Sequence, residues 1–385
     1  MRVIHALDTL DPADGGPPQV AIRQASALAA LGVEVSLLHC EPDPTRRDAI
    51  QAMLAQVPGR DRVPVIELPQ GAIWRIAGHI PLRDLPCLDG TDIVHLHQVW
   101  HPMVRGVATA AQRLGVPYVI RPAGSLSRWM LGQKALKKRL GLAIGYRRMI
   151  GGAAFLQALN CDEADEIAHF RPGVPVEIVP NGIFPEELAE LPMRGSFMQH
   201  CPAIGGRRFV VSVGRLHYSK GFDVLLEAFI RLARGHADLD LVIIGPDSGI
   251  RDALIRRASE AGIGGRLHLP GAIYGKAKFA ALVDADCFCL PSHHEAFSNA
   301  IVEALACGLP CVISKGSHFP EVAQSGAGEI VDIDPAQLHA ALERYISSTS
   351  LRCDAGTRAR ALAHSYLWPE IGARLRDLYK QYARH

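Results

Sequence analysis

Short apolar runs alternate with longer segments whose apolar residues recur at helical spacing, from one end of the chain to the other. Runs that read as strands are RVIHAL (2–7), EVSLLH (34–39), DIVHLH (92–97) and PYVIRP (117–122). A second series contains RFVVSVG (208–214), LDLVIIG (239–245), RLHLPG (266–271), ADCFCLP (285–291) and PCVIS (310–314). Helical patterns lie between them at 18–31, 103–114, 222–234, 251–261 and 297–307. Apolar strands alternating with helices predict parallel sheets covered on both faces.

The alternation breaks once. Residues 180–206, PNGIFPEELAELPMRGSFMQHCPAIGG, are rich in Pro and Gly without a clear period, and read as a linker. A chain of 385 residues is too long for one ordinary core. The expected organisation is an N-terminal Rossmann-like domain over 1–190, a second over 207–364, and a terminal helix over 365–385 with Ile371, Leu375 and Leu378 on one side. In open α/β sheets ligands sit beyond the carboxyl ends of the strands, so two such domains are expected to face each other across a cleft.

Composition narrows the picture. With 48% apolar and 21% charged residues the chain is of globular type, and its 41 basic and 39 acidic residues leave a net charge of +2. That balance argues against a nucleic-acid partner. The nine cysteines are scattered without a CxxC pair, which suits buried or free thiols and gives no zinc site. The chain opens with a strand at residue 2, no leader pattern is present, and no run reaches the roughly 18 apolar residues that span a bilayer. A cytoplasmic protein is expected, with any membrane contact peripheral.

The candidate chemistry follows two strands of the second half. In VSVGRLHYSKGFDVLLEAF, Gly214 allows a close turn, and Arg215 and Lys220 bring two cations to one loop, where a phosphate-bearing ligand would be held by both. The plain alternative is two exposed basic residues. In HHEAFSNAIVEALACGLPCVIS a helix is expected to begin near Phe297, so that N–H groups around Phe297, Ser298 and Asn299 point out of the strand edge and suit a diphosphate. Glu303 shares a helix face with Asn299, and its carboxylate would accept two hydrogen bonds from vicinal hydroxyls. Glu295 stands at the entrance. The plain alternative, a solvated helix face, fits poorly with Ala300, Ile301, Ala304, Leu305 and Ala306 around it.

GRLHYSKG together with EAFSNAIVE resembles the nucleotide-sugar domain of retaining glycosyltransferases of family 4, which have the GT-B fold and a Glu, seven residues, Glu motif, here Glu295 and Glu303. GGPPQVAIRQASALAALGVEVSLL, DIVHLHQVW, VPNGI and LVIIGPDSG resemble other segments of these enzymes in the same order, over nearly the whole chain. The resemblance implies transfer of a sugar, with retention, from a UDP or GDP sugar to a hydroxyl of a saccharide or lipid-linked acceptor in polysaccharide synthesis. It implies Arg215 and Lys220 on the donor diphosphate, Glu303 on the ribose, Glu295 beside the sugar, and Ala272 and Ile273 near the base. Gly15 and Gly16 would let an N-terminal loop approach the ligands. No metal or other cofactor is implied, because the two cations neutralise the phosphates. A nucleotide-sugar epimerase and a non-catalytic nucleotide-sugar-binding subunit are the alternatives.

The sequence departs from the family at RPAGSLSRWM, where many relatives carry a His; Arg121 or Ser125 occupies that neighbourhood. His97, at a strand end, is the substitute candidate for catalysis, against a purely structural role. The segment 127–150 carries Arg128, Lys134, Lys137, Lys138, Arg139, Arg147 and Arg148 among Leu, Ile and Met. Such a basic amphipathic helix suits an anionic membrane, or else an ordinary packed surface.

Overall fold

A computed structural model describes residues 1–69, 80–133, 135–170 and 172–383, so that Lys134 of the basic segment lies outside the described residues. The chain forms two compact units, Met1–Asn181 with Trp368–His385, and Gly182–Leu367.

The sheet of the first unit has seven strands: β1 (Arg2–Ala6), β2 (Glu34–Cys40), β3 (Val65–Leu68), β4 (Ile93–His97), β5 (Tyr118–Arg121), β6 (Phe155–Ala158) and β7 (Val176–Ile178). They run parallel in the order β3-β2-β1-β4-β5-β6-β7, so the winding reverses between β1 and β4. The sheet is wider than the apolar runs suggested, because β3 (VIEL), β6 (FLQA) and β7 (VEI) are short and each carries a polar residue inside the run. Helix Gly16–Ala30 starts on Pro17 and Pro18, whose missing N–H groups would be unbonded in a first turn anyway. The terminal helix Trp368–Tyr382 packs on it: a Cβ at Gly372 would stand 3.3 Å from the Ala27 Cβ, so the smallest residue permits the approach.

The second unit has six parallel strands, β8 (Arg208–Val213), β9 (Leu239–Ile244), β10 (Leu267–Gly271), β11 (Cys287–Leu290), β12 (Cys311–Ser314) and β13 (Gly328–Val331). Their order is β10-β9-β8-β11-β12-β13, with the reversal between β8 and β11. The core is almost wholly aliphatic and aromatic on both faces of β8, β9, β11 and β12. Its cysteines join that core; burial raises the Cys307 thiol to about 12, and Cys289 and Cys311 are raised too, so these are inert thiols.

The segment 180–206 is not a free linker. It contains the helix Pro185–Ala189 and two short turns, and Phe197, Cys201 and Ile204 are buried in the core of the second unit. Asp284 fastens it by accepting from the Gly195 N–H at 2.6 Å and the Phe197 N–H at 2.8 Å. Its Pro and Gly residues mark turns, while apolar residues four and three apart do the packing. The chain passes from one unit to the other at Asn181–Gly182 and again at Leu367–Trp368. No helix among the described residues is long and apolar enough to cross a membrane.

Candidate active site

In the second unit, the loops after β8 and β11 leave the sheet at the strand reversal, where neighbouring loops diverge and leave a crevice. The loop after β8 turns at Gly214, whose N–H donates to the Ile244 carbonyl at 2.9 Å. It continues through the turn Tyr218–Lys220 to Gly221, at φ +65°. A Cβ there would stand 2.2 Å from the Pro291 carbonyl oxygen, so only glycine lets this loop lie against the end of β11. The His293 N–H closes the seam by donating to the Ser219 carbonyl at 2.8 Å. Two loops 70 residues apart are thereby stitched edge to edge.

That seam brings Lys220 and Glu295 into an ion pair, both side chains largely buried. The Ser292 hydroxyl donates to the same Glu295 carboxylate at 2.6 Å, and the Glu295 N–H donates to the Gly316 carbonyl at 2.8 Å. Arg215 lies exposed on the same loop as Lys220, and its guanidinium has no carboxylate partner among the described residues. The site thus holds one neutralised cation and one cation that is free to meet an anion.

The neighbouring helix begins at Asn299, two residues later than expected, with Ser298 as its N-cap and no capping bond from the Ser298 side chain. Phe297 belongs to an aromatic cluster, with its ring 5.4 Å from Phe319 and 6.0 Å from Tyr366. Glu303 therefore lies in the second helical turn. Its partner was not foreseen: the Lys278 ammonium, from helix Gly275–Asp284, donates to Glu303 Oε1 at 2.6 Å, with both side chains more than four-fifths buried. Nothing in the local pattern of GKAKFAAL marks Lys278, because the pair joins two helices 25 residues apart. Ala272 is exposed and Ile273 half-buried immediately after β10. All these residues belong to one unit.

The first unit holds the remaining candidates. Gly15 ends a short turn at φ +92°, and a Cβ on Gly16 would meet nothing within 4 Å, so no internal contact demands glycine at 16. His97 and Arg121 are both buried in this structure, and His97 Nδ1, Arg121 Nε and Arg121 Nη1 have no hydrogen-bond partner among the described residues. His5, His95, His97 and Arg121 share one face of the sheet, since β1, β4 and β5 pair His5 with His95 and His97 with Arg121. His5 Nδ1 lies 3.1 Å from His97 Nε2, and the Tyr379 hydroxyl of the terminal helix lies 2.5 Å from His95 Nδ1 and 3.2 Å from His5 Nε2. Arg121 donates to Asn181 Oδ1 at 2.8 Å. Burial lowers the His5 pKa to about 3, with the Arg121 charge adding to the effect, and lowers His95 and His97 in the same direction. Burial also lowers Arg121, to about 10. These rings are neutral, and they tie the terminal helix to the sheet.

At the reversal between β1 and β4, a hollow of about 420 Å³ is lined by Asp8, Asp11, Asp14, Glu41, Asp43 and Arg46. Arg46 holds Asp11 through two bonds of 2.6 and 2.7 Å, which keeps that carboxyl below the usual carboxylate range. The run LDTLDPAD directly after β1 is the signal that sequence reasoning passed over.

Two doubly wound parallel sheets, each with loops gathered at its strand reversal, define a GT-B fold. Residues 197–362 match the family described as glycosyl transferases group 1, and residues 15–182 match the glycosyl transferase 4-like domain. The chain belongs to the GT-B glycosyltransferases of the family 4 type. It is 26% identical to the D-inositol 3-phosphate glycosyltransferase of Paenarthrobacter aurescens, over 96% of this chain and 93% of that protein. It is 36% identical to the lipopolysaccharide core biosynthesis glycosyltransferase LpsE of Rhizobium meliloti, over 37% of this chain and 41% of that one. Among solved structures it resembles Anabaena HepE in complex with UDP and glucose, with a TM-score of 0.76 and 17% identity over 99% of this chain and all of that one.

Proposed function

We propose that this glycosyltransferase moves a sugar, with retention of configuration, from a nucleoside diphosphate donor to a hydroxyl of a saccharide or lipid-linked acceptor in surface-polysaccharide synthesis. The observation that carries the reading is the Lys220–Glu295 pair at the β8/β11 reversal, beside the unpaired Arg215. Retention rests on the family resemblance, and the polysaccharide role on the likeness to enzymes such as LpsE.

The chemistry asks for cations at the leaving group. Cleavage of the sugar–phosphate bond puts extra negative charge on the nucleoside diphosphate and positive character on the sugar. Arg215 and Lys220 stabilise the first. Drawing Lys220 toward phosphate weakens its hold on Glu295, whose carboxylate then meets the sugar; Ser292 keeps it aimed. Glu303 takes the ribose hydroxyls, with Lys278 fixing its rotamer. The backbone at Ala272 and Ile273 borders the base. Two side-chain cations do the work of a divalent metal, so turnover in EDTA should equal turnover without it; a metal-restored loss would overturn that point. In the first unit, the acidic hollow suits a polyhydroxylated acceptor and repels a phosphorylated one. A lipid-linked acceptor would be met at a membrane surface through the basic segment 127–150.

Loss of one such leaving-group cation typically costs about 3 kcal/mol, or roughly 10²–10³ in rate. Lys220→Ala and Arg215→Ala should each lose turnover on that scale while remaining folded. Near-normal turnover in both would overturn the reading. A panel of UDP and GDP sugars, scored by thermal shift and by slow donor hydrolysis without acceptor, identifies the donor.

A further inference from the structure

Between Asp92 and Asp162 the chain runs 69 residues without a single Asp or Glu while carrying ten Lys or Arg, in a protein whose net charge is only +2. Positive charge is therefore concentrated on one stretch of the first unit. Within it, helices Arg128–Gly132 and Ala135–Gly141 are followed by a wide turn at Leu142–Tyr146 and the helix Arg147–Gly151. Leu136 is 82% exposed, Leu140 63% and Ile144 58%, at a spacing of four that gives the helix and turn an uncovered apolar ridge. Arg128, Lys137, Arg139 and Arg147 are exposed around it.

Beside the ridge lies a hollow of about 490 Å³ between helix Pro102–Leu114 and the turn. Arg105, Arg113 and Arg148 line it together with Thr109, Gln112 and Ile144, and no carboxylate is present. Arg113 and Arg148 are exposed and have no ion-pair partner among the described residues. Arg105 is anchored: its Nη1 donates to the Ile144 carbonyl at 2.8 Å. That bond needs Gly145, at φ +130°, where a Cβ would stand 3.0 Å from Arg105 Nη1. Ile144 belongs to both the ridge and the hollow, so an apolar edge and a cationic socket adjoin.

We propose that the Arg105–Arg113–Arg148 hollow seats the phosphate of an anionic lipid headgroup while Leu136, Leu140 and Ile144 enter the acyl boundary. The proposal rests on the peripheral membrane contact stated above and gives it a defined ligand subsite. A lipid phosphate satisfies both halves at once: guanidinium groups bind phosphate oxygens in pairs, and the apolar ridge needs a phase to enter. A free phosphate ion uses only the hollow.

The test uses the full-length protein and vesicles of phosphatidylcholine, with and without phosphatidylglycerol, sedimented at low salt. Binding is expected only to the mixed vesicles. The double variant Arg113→Ser/Arg148→Ser should weaken that binding by about three-hundred-fold or more, whereas Lys137→Ser/Arg139→Ser, which removes the same charge outside the hollow, should weaken it by about thirty-fold, the diffuse share of two basic residues. Equal losses in both pairs would overturn the subsite in favour of diffuse attraction. Failure of the unsubstituted protein to bind mixed vesicles would overturn the membrane contact itself. Titration with inorganic phosphate separates the sources: saturable binding that depends on Arg113 and Arg148, without vesicle binding, would assign the hollow to a soluble anion and overturn the lipid. Donor hydrolysis in solution should be unchanged in both double variants, so the enzymatic reading stands or falls separately.

Discussion

The two sheets place their polar groups in opposite ways. In the first unit, His5, His95, His97 and Arg121 lie inside, on the face covered by the terminal helix. In the second, the middle of the sheet is mostly apolar, and Asp240 and Asp286 are paired with Arg207, His268 and Arg208 toward its amino-terminal edge. The candidate site groups stand at the carboxyl edge: Lys220 with Glu295, Lys278 with Glu303, and Arg215. The hydrogen bonds of the buried cluster tie the terminal helix to the sheet, while His95 Nε2, His97 Nδ1, Arg121 Nε and Arg121 Nη1 have no hydrogen-bond partner among the described residues. Edge groups bonded in pairs can exchange a partner for a ligand. His97, at a strand end like the functional loops, is buried within that cluster.

The comparison breaks most visibly in acid. The three rings are held neutral by burial, His5 with a pKa of about 3, while in the unfolded chain they take up protons below about 6.5. The unfolded state therefore binds more protons as pH falls through this window, and stability drops. His5 should cost about 2 kcal/mol between pH 7 and pH 5, and His95 and His97 add to the loss in the same direction. Urea midpoints at the two pH values measure the total, and His95→Gln should flatten the dependence by one ring's share. An unchanged slope in that variant would place the acid sensitivity elsewhere.

At the edge of the second sheet, Arg215→Ala should instead spare stability and remove about 3 kcal/mol of transition-state stabilisation. Lys220→Ala should remove as much while also lowering stability by leaving Glu295 unpaired. The smallest effect is expected at the Lys278–Glu303 pair. Glu303→Ala should weaken nucleotide binding by about ten-fold, the scale of a hydrogen bond to a charged group, and Lys278→Met should weaken it less, by loosening Glu303. Calorimetric titration with UDP and GDP reads both. Unchanged affinity in Glu303→Ala would remove the ribose assignment.

The central strands and their helices were legible because an apolar run buried on both faces looks the same in any context. β3, β6, β7 and β13 were not, since each carries a polar residue inside a run of three or four, VIEL, FLQA, VEI and GEIV. The equally short YVIR, CFCL and CVIS of β5, β11 and β12 do not. Phe197, Cys201 and Ile204 were missed inside 180–206 because Pro and Gly around them obscured a spacing that matters only once the second core exists to receive them. Arg215, Lys220, Glu295 and Glu303 were found from their position after strands, whereas Lys278 was invisible: its relation to Glu303 arises from two helices laid side by side.

By itself the sequence determined the alternation of strand and helix, the two-sheet class and the loops able to carry charge, because periodicity and turn chemistry are local. The tertiary structure alone decided which of those charges meet. Lys220 reaches Glu295 only because Gly221 admits Pro291, and His5 and His95 meet Tyr379 only because the terminal helix returns over β1 and β4. Charge and burial depend on neighbours distant in the chain, and those are fixed by packing.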